Sequence, residues 1–380
     1  MAGSRAEPPL TLAGRRTPPC GAGRLALVLA ALAVLATVAA CSGSRPTRGS
    51  VERATTDRVP ATTTSTTTTT VPFDPASVPP RPSPGCSRRS AREVAKGETE
   101  SAIDSGGLTR DFYLRVPPAH DGRTPVPLVL DFHGFGEGAK VETVFSGMSD
   151  LGMQQGFVTV TPQGSGVNGF WNTFGLDRPD DVGFTSALLD DLGDTLCIDL
   201  ARVYATGMSN GAFMVSLLAC RLSDRLAAVA PVAGAQDPQP CTPGRPVPIM
   251  AFHGTDDTFV PLAGGLGPGV VGLGVDPSVS LPTVAKQSVP DVMAAWAARN
   301  GCDPTPTKDK VAGDVVRSTW HRCRDRGDVV FYLVRGGGHT WPGSVLSQAA
   351  KALIGTTTMS IRADDLIWAF FKDHPLARAR

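Results

Sequence analysis

The pattern richest in chemistry is a serine with a glycine two residues to either side, Gly207-Met208-Ser209-Asn210-Gly211. A serine hydroxyl alone is a poor nucleophile at neutral pH. It becomes reactive when a base sits within hydrogen-bond reach, a third group orients that base, and donors await the developing oxyanion. Small flanking residues permit the sharp strand-to-helix bend that lifts such a hydroxyl above a sheet. The flanks agree with that geometry. Arg202-Val203-Tyr204-Ala205-Thr206 reads as a strand, and Ala212 to Cys220 is mostly apolar and reads as a helix. The helix start favours negative charge beside the serine. A glycine-rich chain can carry this pattern by chance, so the reading depends on partners elsewhere.

The base is found by elimination among six histidines, His120, His133, His253, His321, His339 and His374. The first three precede any acid at a suitable strand end. His321 sits in the charged stretch Trp320-His321-Arg322-Cys323-Arg324, and His374 follows the last helix. His339 follows a strand and the hinge Gly336-Gly337-Gly338, which lets the backbone carry an imidazole over a site. The acid is Asp256 or Asp257 in Thr255-Asp256-Asp257-Thr258, where one aspartate can instead cap the turn. Serine, then acid, then histidine is the chain order of the α/β-hydrolase triad. The backbone N–H of Asn210 is one candidate oxyanion donor. The second comes from the His133-Gly134-Phe135-Gly136 turn, with Phe135 favoured. Trp341 stands two residues from His339, and Trp171 and Asn172 share another strand-end loop. These three are the candidate substrate-lining residues.

These residues need a scaffold. Strands are predicted at Thr109–Pro117, Pro127–Phe132, Phe157–Val160, Leu226–Val232, Val247–Phe252, Asp314–Trp320 and Asp328–Val334. Helices are predicted at Glu142–Gln155, Asp180–Leu196, Pro290–Asn300 and Arg362–Lys372. The alternation implies an α/β fold, a mainly parallel sheet with helices on both faces and no large separate lid domain. In such sheets ligands sit beyond the carboxyl ends of the strands, where the candidates fall. The glycine-rich stretch Leu262–Val289 could border that cleft.

Composition bounds the function. The chain has 380 residues and a net charge of +1, with no lysine or arginine stripe, which argues against a nucleic-acid partner. Residues 1–41 read as a lipoprotein-type signal: early arginines, an apolar run from Leu25 to Ala36, and Val38-Ala39-Ala40-Cys41 resembling a lipobox with Cys41 as the lipidated residue. Contact with a membrane is then expected only through that anchor. Residues 42–85, which include the run Thr62 to Thr70 and many prolines, read as a disordered linker, and residues 86–380 as the catalytic domain. Cys86, Cys197, Cys220, Cys241, Cys302 and Cys323 form an even set suited to disulfides in an exported domain. Cys302–Cys323 is the favoured pair, and the other four are left open. No C-x-x-C spacing suggests a zinc site.

Taken together, LDFHGFG (Leu130–Gly136), GFWN (Gly169–Asn172), DVGF (Asp181–Phe184), YATGMSNGA (Tyr204–Ala212), HGTDDTFVP (His253–Pro261) and GGGHTWPG (Gly336–Gly343) resemble the polyhydroxybutyrate depolymerase / feruloyl esterase group of α/β-hydrolases. The resemblance runs from about Thr109 to Lys372. It implies a serine esterase acting on carboxylic esters, small or oligomeric, without metal or cofactor, and commonly exported. The group's HGT-x-D-x-x-V-P pattern places the acid on Asp257. No further polymer-binding domain follows the catalytic one, which leaves short hydroxyalkanoate, hydroxycinnamoyl and acetyl esters open. Two other readings compete. Gly267-Pro268-Gly269-Val270-Val271-Gly272 spells a dinucleotide fingerprint, but it holds a proline and does not open a helix after a strand. A non-catalytic surface-binding lipoprotein on a hydrolase scaffold is the other, since fold alone does not prove activity.

Overall fold

The structure, a computed structural model, describes residues 73–166, 169–173, 179–274 and 286–376. The signal, Cys41 and most of the linker lie outside the described residues, as do Asn168 and part of the long loop after the acid.

Ten strands form one sheet in the order β1-β2-β4-β3-β5-β6-β7-β10-β9-β8 among the described residues. They are β1 Gly97–Ser105, β2 Leu108–Val116, β3 Val126–Phe132, β4 Val158–Pro162, β5 Ile198–Met208, β6 Ala228–Val232, β7 Ile249–Gly254, β8 Thr307–Lys310, β9 Val315–Trp320 and β10 Val329–Val334. The six central strands, β4 to β10 in that order, are parallel. Each edge is finished by two antiparallel strands.

Period-two side-chain alternation sends each central strand to both faces. Leu128, Leu130 and Phe132 of β3, with Ile249 and Ala251 of β7, enter one core cluster, while Val129, Met250 and Phe252 enter the other. The first cluster is closed by α3 (Asp181–Thr195), α4 (Asn210–Arg221) and α5 (Val289–Arg299). The second is closed by α2 (Met148–Gln155) and α6 (Ala363–Asp373), with Tyr204 stacked on Phe371. Burial on both faces explains why the central strands read as nearly continuous apolar runs.

Two expectations change. The predicted helix Glu142–Gln155 is two helices, α1 (Ala139–Phe145) and α2, broken at Ser146-Gly147. Gly147 is left-handed at φ 74°, and the Ser146 hydroxyl turns away to Asp131. The boundary between linker and domain also falls earlier than Cys86. Arg81 N–H donates to Asp199, and Ser83 bonds both Leu196 O and Ile198 N, so the end of the stretch read as linker satisfies the start of β5. Disulfides join Cys86 to Cys197, Cys220 to Cys241 and Cys302 to Cys323.

Because β3, β5, β7 and β10 are parallel, the turns after Phe132, Met208, Gly254 and Val334 emerge at one edge of the sheet.

Candidate active site

Ser209 lies between β5 and α4 at φ 57°, ψ −119°, a conformation that L-residues rarely adopt. Its N–H donates to Val232 O at 2.9 Å, and its carbonyl accepts Phe213 N–H at 3.0 Å. The bend requires glycine beside it. A Cβ on Gly211 would lie 2.0 Å from Phe132 O, and one on Gly207 would lie 2.5 Å from the same oxygen. The G-x-S-x-G pattern is thus a record of how closely β3 and the elbow approach.

On the loop after β7, Asp257 is buried and Asp256 is exposed. Asp257 Oδ1 accepts N–H groups from Phe259 and Val260, both at 2.9 Å, and Oδ2 meets His339 Nδ1 at 2.8 Å. Burial pushes the Asp257 carboxyl up, but His339, His253 and the Val260 amide together hold it below its ordinary value. It is therefore an anion at neutral pH. The Phe259 ring stacks on His339, with centroids 4.8 Å apart, and His339 N–H donates to Ile354 O.

Ser209 and His339 stand on loops leaving β5 and β10, with β6 and β7 between. Their side chains are not hydrogen-bonded to each other; Ser209 Oγ and His339 Nε2 have no partner among the described residues. Such bonds are often long in free enzymes and tighten around substrate.

The other histidines have structural tasks. His133 is buried, which pushes its pKa down to about 4. Its ring accepts Gly164 N–H at Nε2 and meets Gly134 O at Nδ1, an arrangement that needs the neutral Nδ1–H tautomer. His120 accepts Cys197 N–H, His253 donates to Val260 O, and His374 meets Phe370 O. His321 is exposed beside Thr307.

In the turn after β3, Gly134 N–H donates to Glu137 Oε2 at 3.0 Å, while Phe135 N–H makes no hydrogen bond among the described residues. Gly134 packs on the elbow: a Cβ there would lie 3.4 Å from Ser209 Cβ.

The expected lining role of the two tryptophans is corrected. Trp171 and Trp341 are 0% and 1% exposed and belong to the two core clusters. Trp171 Nε1 donates to His133 O, and its ring packs edge-on against Phe132. A strand-end loop can fold its aromatic residue inward as readily as outward, and here burial of the large ring decides. Asn172 is buried and donates to Asp181 Oδ2 and Pro179 O. The stretch Gly267 to Gly272 forms a turn and short 3₁₀ helix after the acid.

No protein-family model matches the chain. Feruloyl esterase B of Piromyces equi is 27% identical over 238 residues, covering 60% of this chain and 42% of that protein, so the match spans under half the relative's length. Feruloyl esterase C of Emericella nidulans is 27% identical over 69% of this chain and 83% of its own. Feruloyl esterase D of Neurospora crassa is 26% identical over 70% and 84%. Over the matched residues the chain is similar to these feruloyl esterases, at 26–27% identity.

Three features of the site escaped sequence reasoning. Asn210 clamps the loop at Trp171 with its side chain, accepting Trp171 N–H at 2.7 Å and donating to Trp171 O at 3.1 Å. Arg110 forms a buried pair with Asp181 at 2.7 Å and lies over the Phe184 ring. This gives Asp181 its place in the DVGF segment: it accepts both Arg110 and the Asn172 amide. Glu137, polar and flanked by Gly136 and Gly138 in the Gly134-to-Gly138 turn, gave no periodic signal at all.

Proposed function

We propose that the protein is an exported serine esterase that hydrolyses carboxylic esters in two steps through Ser209, His339 and Asp257. Ser209 Oγ attacks the ester carbonyl while His339 Nε2 takes its proton. His339 then gives that proton to the departing alcohol, leaving an acyl-enzyme. Water repeats the sequence, releases the acid and restores the serine. Asp257 orients the ring through Nδ1 and stabilises the imidazolium. The Phe135 and Asn210 N–H groups receive the oxyanion. One observation carries this reading: the 2.8 Å contact between a buried Asp257 carboxylate and His339 Nδ1, at the sheet edge that also bears the strained Ser209.

The names of the relatives favour hydroxycinnamoyl esters as substrates, with acetyl and short hydroxyalkanoate esters next. Methyl ferulate, acetylated xylan and hydroxybutyrate oligomers separate these classes. Methyl ferulate is expected to give the highest kcat/KM. Turnover of hydroxybutyrate oligomers alone would overturn the hydroxycinnamoyl assignment. Export and lipidation at Cys41 belong to the same proposal, supported by the three disulfides, which suit an oxidising compartment. The mass of the N-terminal peptide of the mature protein tests them: an unmodified Cys41 there would rule out the anchor.

A further inference from the structure

A line of three carboxyl groups runs from the sheet to the turn beside Ser209. Asp131, on β3, is fully buried; its Oδ2 accepts the Ser146 hydroxyl at 2.5 Å and its Oδ1 receives no donor among the described residues. Glu142, on α1, is equally buried, and neither of its oxygens receives a donor among the described residues. Its side-chain partners are the carboxyls of Asp131 and Glu137. Glu137 ends the line at Gly134 N–H, and the Cβ position of Gly134 lies 3.2 Å from Glu137 Oε2 and 3.4 Å from Ser209 Cβ. Among the described residues, the charged groups acting on the line are its own three members and, at the Glu137 end, His339, with no lysine or arginine.

Two ionised carboxylates do not face each other in a buried site; one proton is shared between them. Three in a row make two such contacts and call for two protons, which leaves at most one negative charge on the line. Burial pushes Asp131 and Glu137 up to about 7, and burial with the two neighbouring carboxyls pushes Glu142 well above the usual range. The protons belong to the set, released in coupled steps.

We propose that Glu137 is a positioning residue for ester hydrolysis: it occupies Gly134 N–H so that the turn presents Phe135 N–H to the oxyanion, and Asp131 and Glu142 keep protons on the line so that at most one negative charge, shared along it, opposes that oxyanion. The inference rests on the esterase reading of Ser209. Deprotonation of the line then sets charge against the anionic intermediate, so kcat falls as pH rises through the titration of the cluster.

The test compares wild type, Glu137→Ala and Glu137→Gln on p-nitrophenyl butyrate, with kcat and KM measured across neutral pH. Because the oxyanion forms only in the transition state, Glu137→Ala is expected to lower kcat about 10- to 100-fold while KM changes less than about threefold. Glu137→Gln keeps an oxygen acceptor for Gly134 N–H but cannot ionise. It is expected to recover most of kcat at neutral pH and to lose the alkaline decline. Wild-type kcat in Glu137→Ala, or an unchanged alkaline decline in Glu137→Gln, would overturn the inference. Should Glu137→Ala not fold, Glu142→Gln carries the test, since removing the shared proton must shift the same decline and an unshifted decline counts against the proposal. Active-site labelling of Ser209 in the wild type separates the two levels. An unlabelled serine defeats the esterase reading, whereas a labelled enzyme indifferent to Glu137 defeats only this inference.

Discussion

Ser209→Ala is expected to lower kcat for p-nitrophenyl butyrate by about five to six orders of magnitude, leaving only the modest acceleration that binding and oxyanion donors supply. The residue's backbone holds the elbow through Val232 O and Phe213 N–H, and an alanine makes both bonds. The hydroxyl has no partner among the described residues, so its removal leaves no buried polar group unsatisfied. Thermal unfolding should therefore stay within a few degrees of wild type. The size of the loss distinguishes a nucleophile from a residue that merely lines the site. A folded Ser209→Ala protein retaining more than about a hundredth of wild-type turnover would be incompatible with covalent catalysis at this position.

Asp257→Asn is expected to cost about 10⁴-fold in kcat with little change in KM. The reason is a tautomer. Asp257 accepts two amide N–H bonds on Oδ1 and one from His339 on Oδ2. The asparagine oxygen takes over the Phe259 and Val260 amides, which aims its NH₂ at His339 Nδ1. A donor there requires Nδ1 to accept, so the ring proton moves to Nε2, the atom that must receive the serine proton. The fold is kept and the base is disabled. Asp256→Asn is the matched control. Asp256 is exposed, its side chain bonds the Thr255 hydroxyl, and its N–H to Gly337 O survives the change, so activity near wild type is expected. Equal losses in the two variants would remove the distinction between the neighbouring aspartates, and with it the assigned role of Asp257.

The central strands were legible because burial on both faces makes them continuous apolar runs, as in Leu128-Val129-Leu130 and Val329-Val330-Phe331. The edge strands were not. All four residues of β8, Thr307–Lys310, are exposed, and β1 carries one large apolar residue, the half-buried Ile103, among polar and small ones. Neither has a hydrophobic period to read, and both exist because a neighbouring strand offers its backbone. The helix break at Ser146-Gly147 is similarly tertiary, since the Ser146 hydroxyl is drawn to Asp131 on β3.

At the site, types and order pointed to Ser209, His339 and an aspartate, but Asp256 and Asp257 differ only in which side chain the turn buries. Burial of Trp171 and Trp341 was invisible for the same reason, as a loop aromatic gives no period. The carboxyl line of Asp131, Glu142 and Glu137 brings together a strand, a helix and a turn. No spacing along the chain announces it, and only the missing donors around Glu142 reveal that protons must be shared.

The most direct measurement of the central claim is reaction of the full-length protein with a fluorophosphonate, read by intact mass and by the mass of the labelled peptide. One adduct per chain is expected, on Ser209, absent from Ser209→Ala and much slower to form in Asp257→Asn. A folded, monodisperse protein that takes up no adduct, or takes it up on another serine, would contradict the account.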